Sequence, residues 1–244
     1  MFLVEPIESP LLETVLLPAR GHMAFESCVE HLGSAIQLGI FKTGERLPPE
    51  RDLAERMQVS RATLREAISA LRAAGFVTTV RGRGGGTIVE PVGNARPPER
   101  LGNKDRQEEI SDILIFRSVI EPGACQRAAS MRLSEDQRRL LTDSLAEVEN
   151  AGSPVEYRQA DARLHLAFSA VAGSSELNKA STTIQTKIHE FLAEIPFLQR
   201  NIEHSNQEHR LIVQAILDGE PAAARSVMEL HCESTAALLK GLLK

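Results

Sequence analysis

Apolar residues in this chain recur mainly at intervals of three and four, the period of a helix buried along one face. From Arg106 onward every segment reads this way, with no strand-like alternation and no internal repeat. The punctuation between segments is clear. "SEDQ" at 134–137 is a capping box opening a helix through about Asn150. In "SPVE" at 153–156, Ser153 caps, Pro154 takes the first helical position and Glu156 closes the box, which predicts a helix to Ala172 stopped by Gly173. Further helices are predicted over Ser175–Glu194, over Asn201–Asp218 with a stop at Gly219, and from Pro221 to the C-terminus. Together with Arg106–Ala129 these make six helices on short loops, an antiparallel helical bundle.

The first part of the chain is patterned differently. Residues 1–23 are apolar in patches broken by three prolines and read as a loosely ordered tail. Residues 24–91 hold three short helical patterns and a Gly-rich hairpin, and the polar stretch "VGNARPPERLGNKD" at 92–105 reads as a linker to the helical domain, 106–244. Within 44–75, Leu53, Ala54 and Met57 give one apolar face after Pro49. "QVS" makes a tight turn, and Ser60 caps a second helix with Leu64, Ala67, Ile68 and Leu71 inward. Two β-rich arms, Phe76–Val80 and Thr87–Glu90, then flank "RGRGGG", with Arg81 and Arg83 at the tip. The expected fold is mainly α: an N-terminal winged helix-turn-helix followed by a C-terminal all-α bundle.

Charge refines this picture. The chain of 244 residues carries a formal net charge of −5, which looks unsuited to nucleic acid. Residues 24–91, however, hold nine Lys+Arg against eight Asp+Glu, and seven arginines with no lysine lie between Arg51 and Arg83. Phosphate contact requires a local basic surface, not a basic whole. The second helix presents Arg61, Thr63 and Arg65 from its first turns, the part of a recognition helix that enters the major groove, with Arg51 near the same groove. Arginine suits guanine O6/N7 or phosphate, and threonine suits phosphate or a thymine methyl. A nucleotide-cradling loop is disfavoured: no Lys-Ser/Thr follows the glycines, and Thr87 breaks the G-x-G-x-x-G spacing. No apolar run reaches membrane-spanning length, and the acidic, proline-containing start is a poor signal peptide, so a cytoplasmic protein without membrane contact is expected. Cys28, Cys125 and Cys232 are scattered and read as buried or idle thiols.

The stretch "GERLPPERDLAERMQVSRATLREAI", continued through Gly75, resembles the DNA-binding domain of the GntR family of bacterial transcription regulators over about Glu30–Val89. The resemblance implies that Arg51, Ser60, Arg61, Thr63, Arg65, Arg81 and Gly82 occupy DNA-contacting positions. Ala62 departs from relatives with a polar residue there.

Five histidines fall in the helical part. His165 follows Asp161 by four residues, on one helix face. His209 lies on the stripe of Ile212, Val213 and Ile216, and His231 lies near Val227, Met228 and Leu238. His204 sits among polar neighbours, and His189 fits either a pocket or the surface. Taken singly, each is more readily a core or surface residue; one carboxylate and three imidazoles on three helices also make a plausible divalent site. The segments "DARLH", "EHRLI" and "ARSVMELH" resemble the metal-ligand segments of the FadR-type C-terminal domain, FCD, over about Arg106–Leu239. This implies a dimerising all-helical effector domain in which Asp161, His165, His209 and His231 hold one divalent cation, zinc or nickel foremost. Acyl-CoA-sensing members lack these histidines, which shifts the expected effector to a small organic acid able to chelate the cation. Arg117, in the segment that fits the domain's first helix, is a candidate to pair with a ligand carboxylate and Asn206, one turn before His209, to add a hydrogen bond; exposed or salt-bridged polar residues are the equal alternative for both.

The leading expectation is a homodimeric, ligand-responsive regulator on a palindromic DNA operator, and not an enzyme. Three other readings stay open: a sensor for the metal itself, a purely structural metal, and a metal-dependent enzyme, the last leaving the DNA-reading half unexplained.

Overall fold

The computed structural model describes residues 11–16, 24–80, 85–91 and 103–243. Contacts divide the chain into two compact units, Met1–Glu99 and Arg100–Lys244.

In the first unit, α1 (Leu12–Val15) packs on α2 (Ala24–Gln37), and α2 packs on α4 (Arg61–Ala73), which follows α3 (Glu50–Arg56). The stretch read as a loose tail therefore contains one ordered helical turn. Its Leu11, Leu12, Val15 and Leu16 are buried, and burying such a set outweighs the cost of fixing a single turn. The turn between α3 and α4 is tight because Gln58 adopts a left-handed φ of 55°. Ser60 then caps α4, its Oγ accepting from the Thr63 amide at 3.0 Å. Leu53, Ala54 and Met57 of the first helix and Leu64, Ala67, Ile68 and Leu71 of the second are buried, as their spacing predicts. Strands β1 (Val77–Val80) and β2 (Gly86–Val89) pair antiparallel with Val77 opposite Val89 and Val80 opposite Gly86. The hairpin tip, 81–84, with the predicted contact residues Arg81 and Gly82, lies outside the described residues.

The second unit is all helix: α5 (Asn103–Ala129), α6 (Glu135–Glu149), α7 (Pro154–Val171), α8 (Ser175–Ala193), α9 (Gln199–Leu217) and α10 (Pro221–Leu242). Helix α5 starts three residues inside the stretch read as linker. The Ser134–Gln137 capping box forms as predicted. At α7 the box differs: Ser153 Oγ accepts from the Glu156 amide, but the Glu156 carboxylate reaches past Ser153 to the Gly152 amide, at 2.9 Å. Gly173 and Gly219 end their helices at φ 69° and 70°, a conformation glycine adopts without the usual Cβ clash. Ile110, Ile113, Leu114, Ile184, Ile188, Phe191, Ile195 and Leu239 of α5, α8 and α10, with the turn after α8, form one apolar core. Among the described residues no helix is long and apolar enough to cross a membrane. Helix α7 is the central one: Asp161, His165 and eight other residues from Ala160 to Val171 are buried along with Tyr157, so Asp161, His165 and Ser169 face protein rather than water.

Candidate functional site: a three-imidazole centre beside a cleft of mixed charge

Asp161 and His165 come from α7, His209 from α9 and His231 from α10. Each histidine sits on the buried stripe of its helix, so packing the helices drives the rings together. Ring centroids are 5.5 Å apart for His165 and His209, 5.1 Å for His165 and His231, and 4.7 Å for His209 and His231. One nitrogen from each ring lies within 4.8 Å of the other two. Asp161 stands at the edge of this triangle, its Oδ1 3.4 Å from His209 Nε2.

The rings are buried yet poorly satisfied. Both nitrogens of His209 and Nε2 of His165 have no hydrogen-bond partner among the described residues. Native interiors avoid this unless something else takes up the lone pairs or protons. Burial, aided by the neighbouring imidazoles and Arg117, holds His209 and His231 well below the usual histidine pKa, hence neutral, the form that ligates metals.

Two carboxylates back the rings. His231 Nδ1 lies 2.9 Å from Glu208 Oε2; donation there leaves the Nε2 lone pair available. His165 Nδ1 lies 3.0 Å from Glu121 Oε2, close enough for ion pairing though its N–H is poorly directed for a hydrogen bond. Glu121 also accepts from Arg117 Nε at 2.8 Å and from Gln185. Burial alone would raise the Glu121 pKa; the Arg117 and His165 charges outweigh that and hold it far below the usual carboxylate range. Conversely, burial disfavours the Arg117 charge but Glu121 more than restores it. The result is a permanently ionised pair at the base of the site. Neither Glu121 nor Glu208 was singled out by sequence reasoning, although Glu121 stands four residues after Arg117 and Glu208 precedes His209 directly.

Beside the triangle opens a cleft of about 730 Å³, measured out to its mouth. Arg117, Asp161, Glu208 and His231 line its polar end, and Ile188, Leu192, Leu198, Ile202 and Leu238 line its apolar wall. Arg117 Nη1 is buried without a hydrogen-bond partner. Asn206 meets the cleft indirectly, accepting from the hydroxyl of the lining residue Tyr157 at 2.9 Å. His204 is largely exposed at the rim, whereas His189 is half-buried and does not line the cleft. The three cysteines are buried and unpaired, and burial pushes the Cys232 thiol up to about 12, so it is unreactive at neutral pH.

In the first unit, Arg61 and Arg65 are exposed on α4 and Arg51 on α3, while Thr63 is half-buried. Arg65 Nε reaches Glu50 at 3.2 Å across the two helices, and Arg51 Nε reaches Asp52 at 2.9 Å. The Ser60 and Thr63 hydroxyls share a hydrogen bond of 2.8 Å.

Residues 26–87 match the family described as bacterial regulatory proteins, gntR family, and residues 112–234 match the FCD domain. The chain is 34% identical to RmpR of Mycobacterium gastri, classed as an HTH-type transcriptional regulator, over 84% of this chain and 76% of that one. This chain belongs to the GntR family, with an FCD domain as its C-terminal half. The regulator is also 27% identical to the HTH-type transcriptional regulator LutR of Bacillus subtilis, over 84% of its own length and 96% of LutR. Its fold resembles that of McbR/YncC of E. coli, with a TM-score of 0.53 at 19% identity, covering 89% of the regulator and 97% of that chain. The helical, winged helix-turn-helix architecture expected from the residues is thus that of a DNA-binding transcription regulator, and its relatives are regulators, not enzymes.

Proposed function

We propose that the regulator controls transcription in response to a small carboxylate bound beside a divalent cation in its FCD domain. The observation that carries this reading is the cluster of three buried imidazoles, two of them with unsatisfied nitrogens, beside a cleft lined by His231 and by Arg117, whose Nη1 is buried and unpartnered. Three imidazoles and a carboxylate suit zinc, nickel or another late divalent ion, so the residues present fit the cation. His165, His209, His231 and Asp161 would hold it, and when bound it supplies a Lewis-acidic position for an effector oxygen.

The chain's own residues do the rest. Glu208 orients His231, and Glu121 stands behind His165. Arg117, held by Glu121, contributes fixed positive charge where an effector carboxylate enters. Asn206 supports the cleft by holding Tyr157. In the first unit, Arg51, Ser60, Arg61, Thr63 and Arg65, with Arg81 and Gly82 of the wing, make the DNA contacts. A homodimer then reads a palindromic operator. The effector acts by binding the DNA-competent and incompetent states with different affinity.

Elemental analysis of the purified regulator, followed by thermal-shift and gel-shift measurements with small carboxylates, tests this. About one late divalent ion per chain is expected, lost in His209→Ala, together with a carboxylate that stabilises wild type but not the variant and changes binding to the regulator's own promoter DNA. A wild-type protein that binds neither metal nor acid would overturn the proposal. Operator affinity that tracks free metal with no acid would make the cation itself the signal.

A further inference from the structure

The charged groups lining the cleft are nearly all committed to one another. Arg117 bonds Glu121 at 2.8 Å, Asp161 stands 3.4 Å from His209, and Glu208 takes His231 at 2.9 Å and Ser234 at 3.2 Å. Arg158 is the exception. It lines the same cleft and is half-buried, yet among the described residues its guanidinium meets no carboxylate and no hydrogen-bond acceptor. Its surroundings contribute only burial, which lowers its pKa with no acid to offset it. An arginine on an open rim satisfies its five N–H groups with water at no cost. One that is partly desolvated beside an apolar wall loses part of that hydration and gains from an anion that fills the gap.

Its position along α7 matters equally. Arg158 precedes Asp161 by three residues, so the two project from one helix about 4.5 Å apart along its axis. Arg117 and Arg158 are thus the two guanidinium groups lining a single cleft, one at its polar end beside His231 and one a turn before Asp161 on α7, with Leu192, Leu198 and Leu238 on the wall.

We infer that Arg158 is a second anion-binding point, and that the effector is a dianion: one carboxylate at the imidazole–Arg117 end and a second anionic group held by the Arg158 guanidinium. This rests on the carboxylate-effector reading above and narrows it from acids in general to dicarboxylates with a short spacer.

The experiment compares glutarate and adipate with their chain-matched monocarboxylates, pentanoate and hexanoate, by calorimetric titration of the full-length protein. It uses wild type, Arg158→Gln and Arg158→Lys, each as purified and after chelation. Wild type is expected to bind the better dicarboxylate about tenfold or more tightly than its monocarboxylate partner, the worth of a charge-assisted hydrogen-bonded pair. Arg158→Gln erases that preference while leaving the monocarboxylate within about twofold, and Arg158→Lys retains part of it. An unchanged preference in Arg158→Gln, or an equal loss for both acids, would assign Arg158 to the scaffold of the wall and overturn the inference. Wild type binding both acid types equally would sink the dianion and leave the carboxylate effector standing. Wild type binding no acid at all would sink both.

Discussion

His189 shows how a single half-buried side chain ties the FCD domain to pH. Burial lowers its pKa to about 4, although it donates a hydrogen bond to the Arg158 carbonyl, and the nearby Arg158 charge pushes in the same direction as burial. In the unfolded chain the ring takes a proton near pH 6.5. Its folded pKa is depressed, so the stability it permits is complete above pH 6.5 and is lost as pH falls from there toward 4, to an extent of about 3 kcal/mol. His209 and His231 are depressed for the same main reason and act in the same direction. Urea unfolding of chelated protein at pH 7.5, 6 and 5 is expected to give a falling stability whose slope is shallower in His189→Gln by up to one proton. Equal slopes would show that the native state binds the His189 proton as readily as the unfolded chain does. The candidate site was partly legible at this scale. His209 and His231 carry apolar neighbours at helical spacing, which announced their burial. Nothing in that pattern marks Glu121, Glu208 or Arg158, because a carboxylate behind a ligand or an arginine lacking an acid is a fact of which helices pack together.

Helix boundaries were read best where a side chain makes them. Ser60, Ser134, Ser153 and Ser174 each accept a backbone N–H at the start of a helix. At α6 the bond is reciprocated by Gln137. Ser134→Ala is expected to cost about 1 kcal/mol, read as a shift in the urea midpoint with an unchanged slope. A loss below about 0.3 kcal/mol would show that water replaces the cap there. Gln137→Ala removes only the second arm and should cost less. Boundaries without such chemistry were read less well. Helix α9 begins at Gln199 behind Leu198, which offers no side-chain cap, so the first polar run pointed two residues too late, to Asn201. Helix α1 was missed because its four apolar residues sit between prolines, and only packing on α2 distinguishes an ordered turn from a tail. The two β-rich arms and the glycines between them gave the hairpin directly.

For the molecule as a whole, the remaining question is what covers α5. Ile115 and Val119 are 62% and 64% exposed, four residues apart on one face, with Phe116 beside them. Four residues further along, Gly123 leaves the face open, since a Cβ there would touch nothing within 4 Å. A stripe of large apolar side chains leading to a bare glycine is what a second helix would approach closely. It also answers a need of the proposed function, because one winged helix-turn-helix reads only half of a palindrome. The expected outcome is that wild type sediments as a dimer and Val119→Glu as a monomer. The far-ultraviolet circular dichroism of the variant should match wild type, because a side chain this exposed supports little of its own domain. Linking two reading heads raises binding to a two-site operator by two to four orders of magnitude, so operator affinity in gel shift is expected to fall by about a hundredfold or more. Affinity for a single half-site should not change. A Val119→Glu protein that still sediments as a dimer would place the two-fold interface on another face and leave the α5 stripe to another partner. A monomeric variant that keeps full operator affinity would show that the two heads bind independently, and would remove symmetry from the account of how this regulator reads DNA.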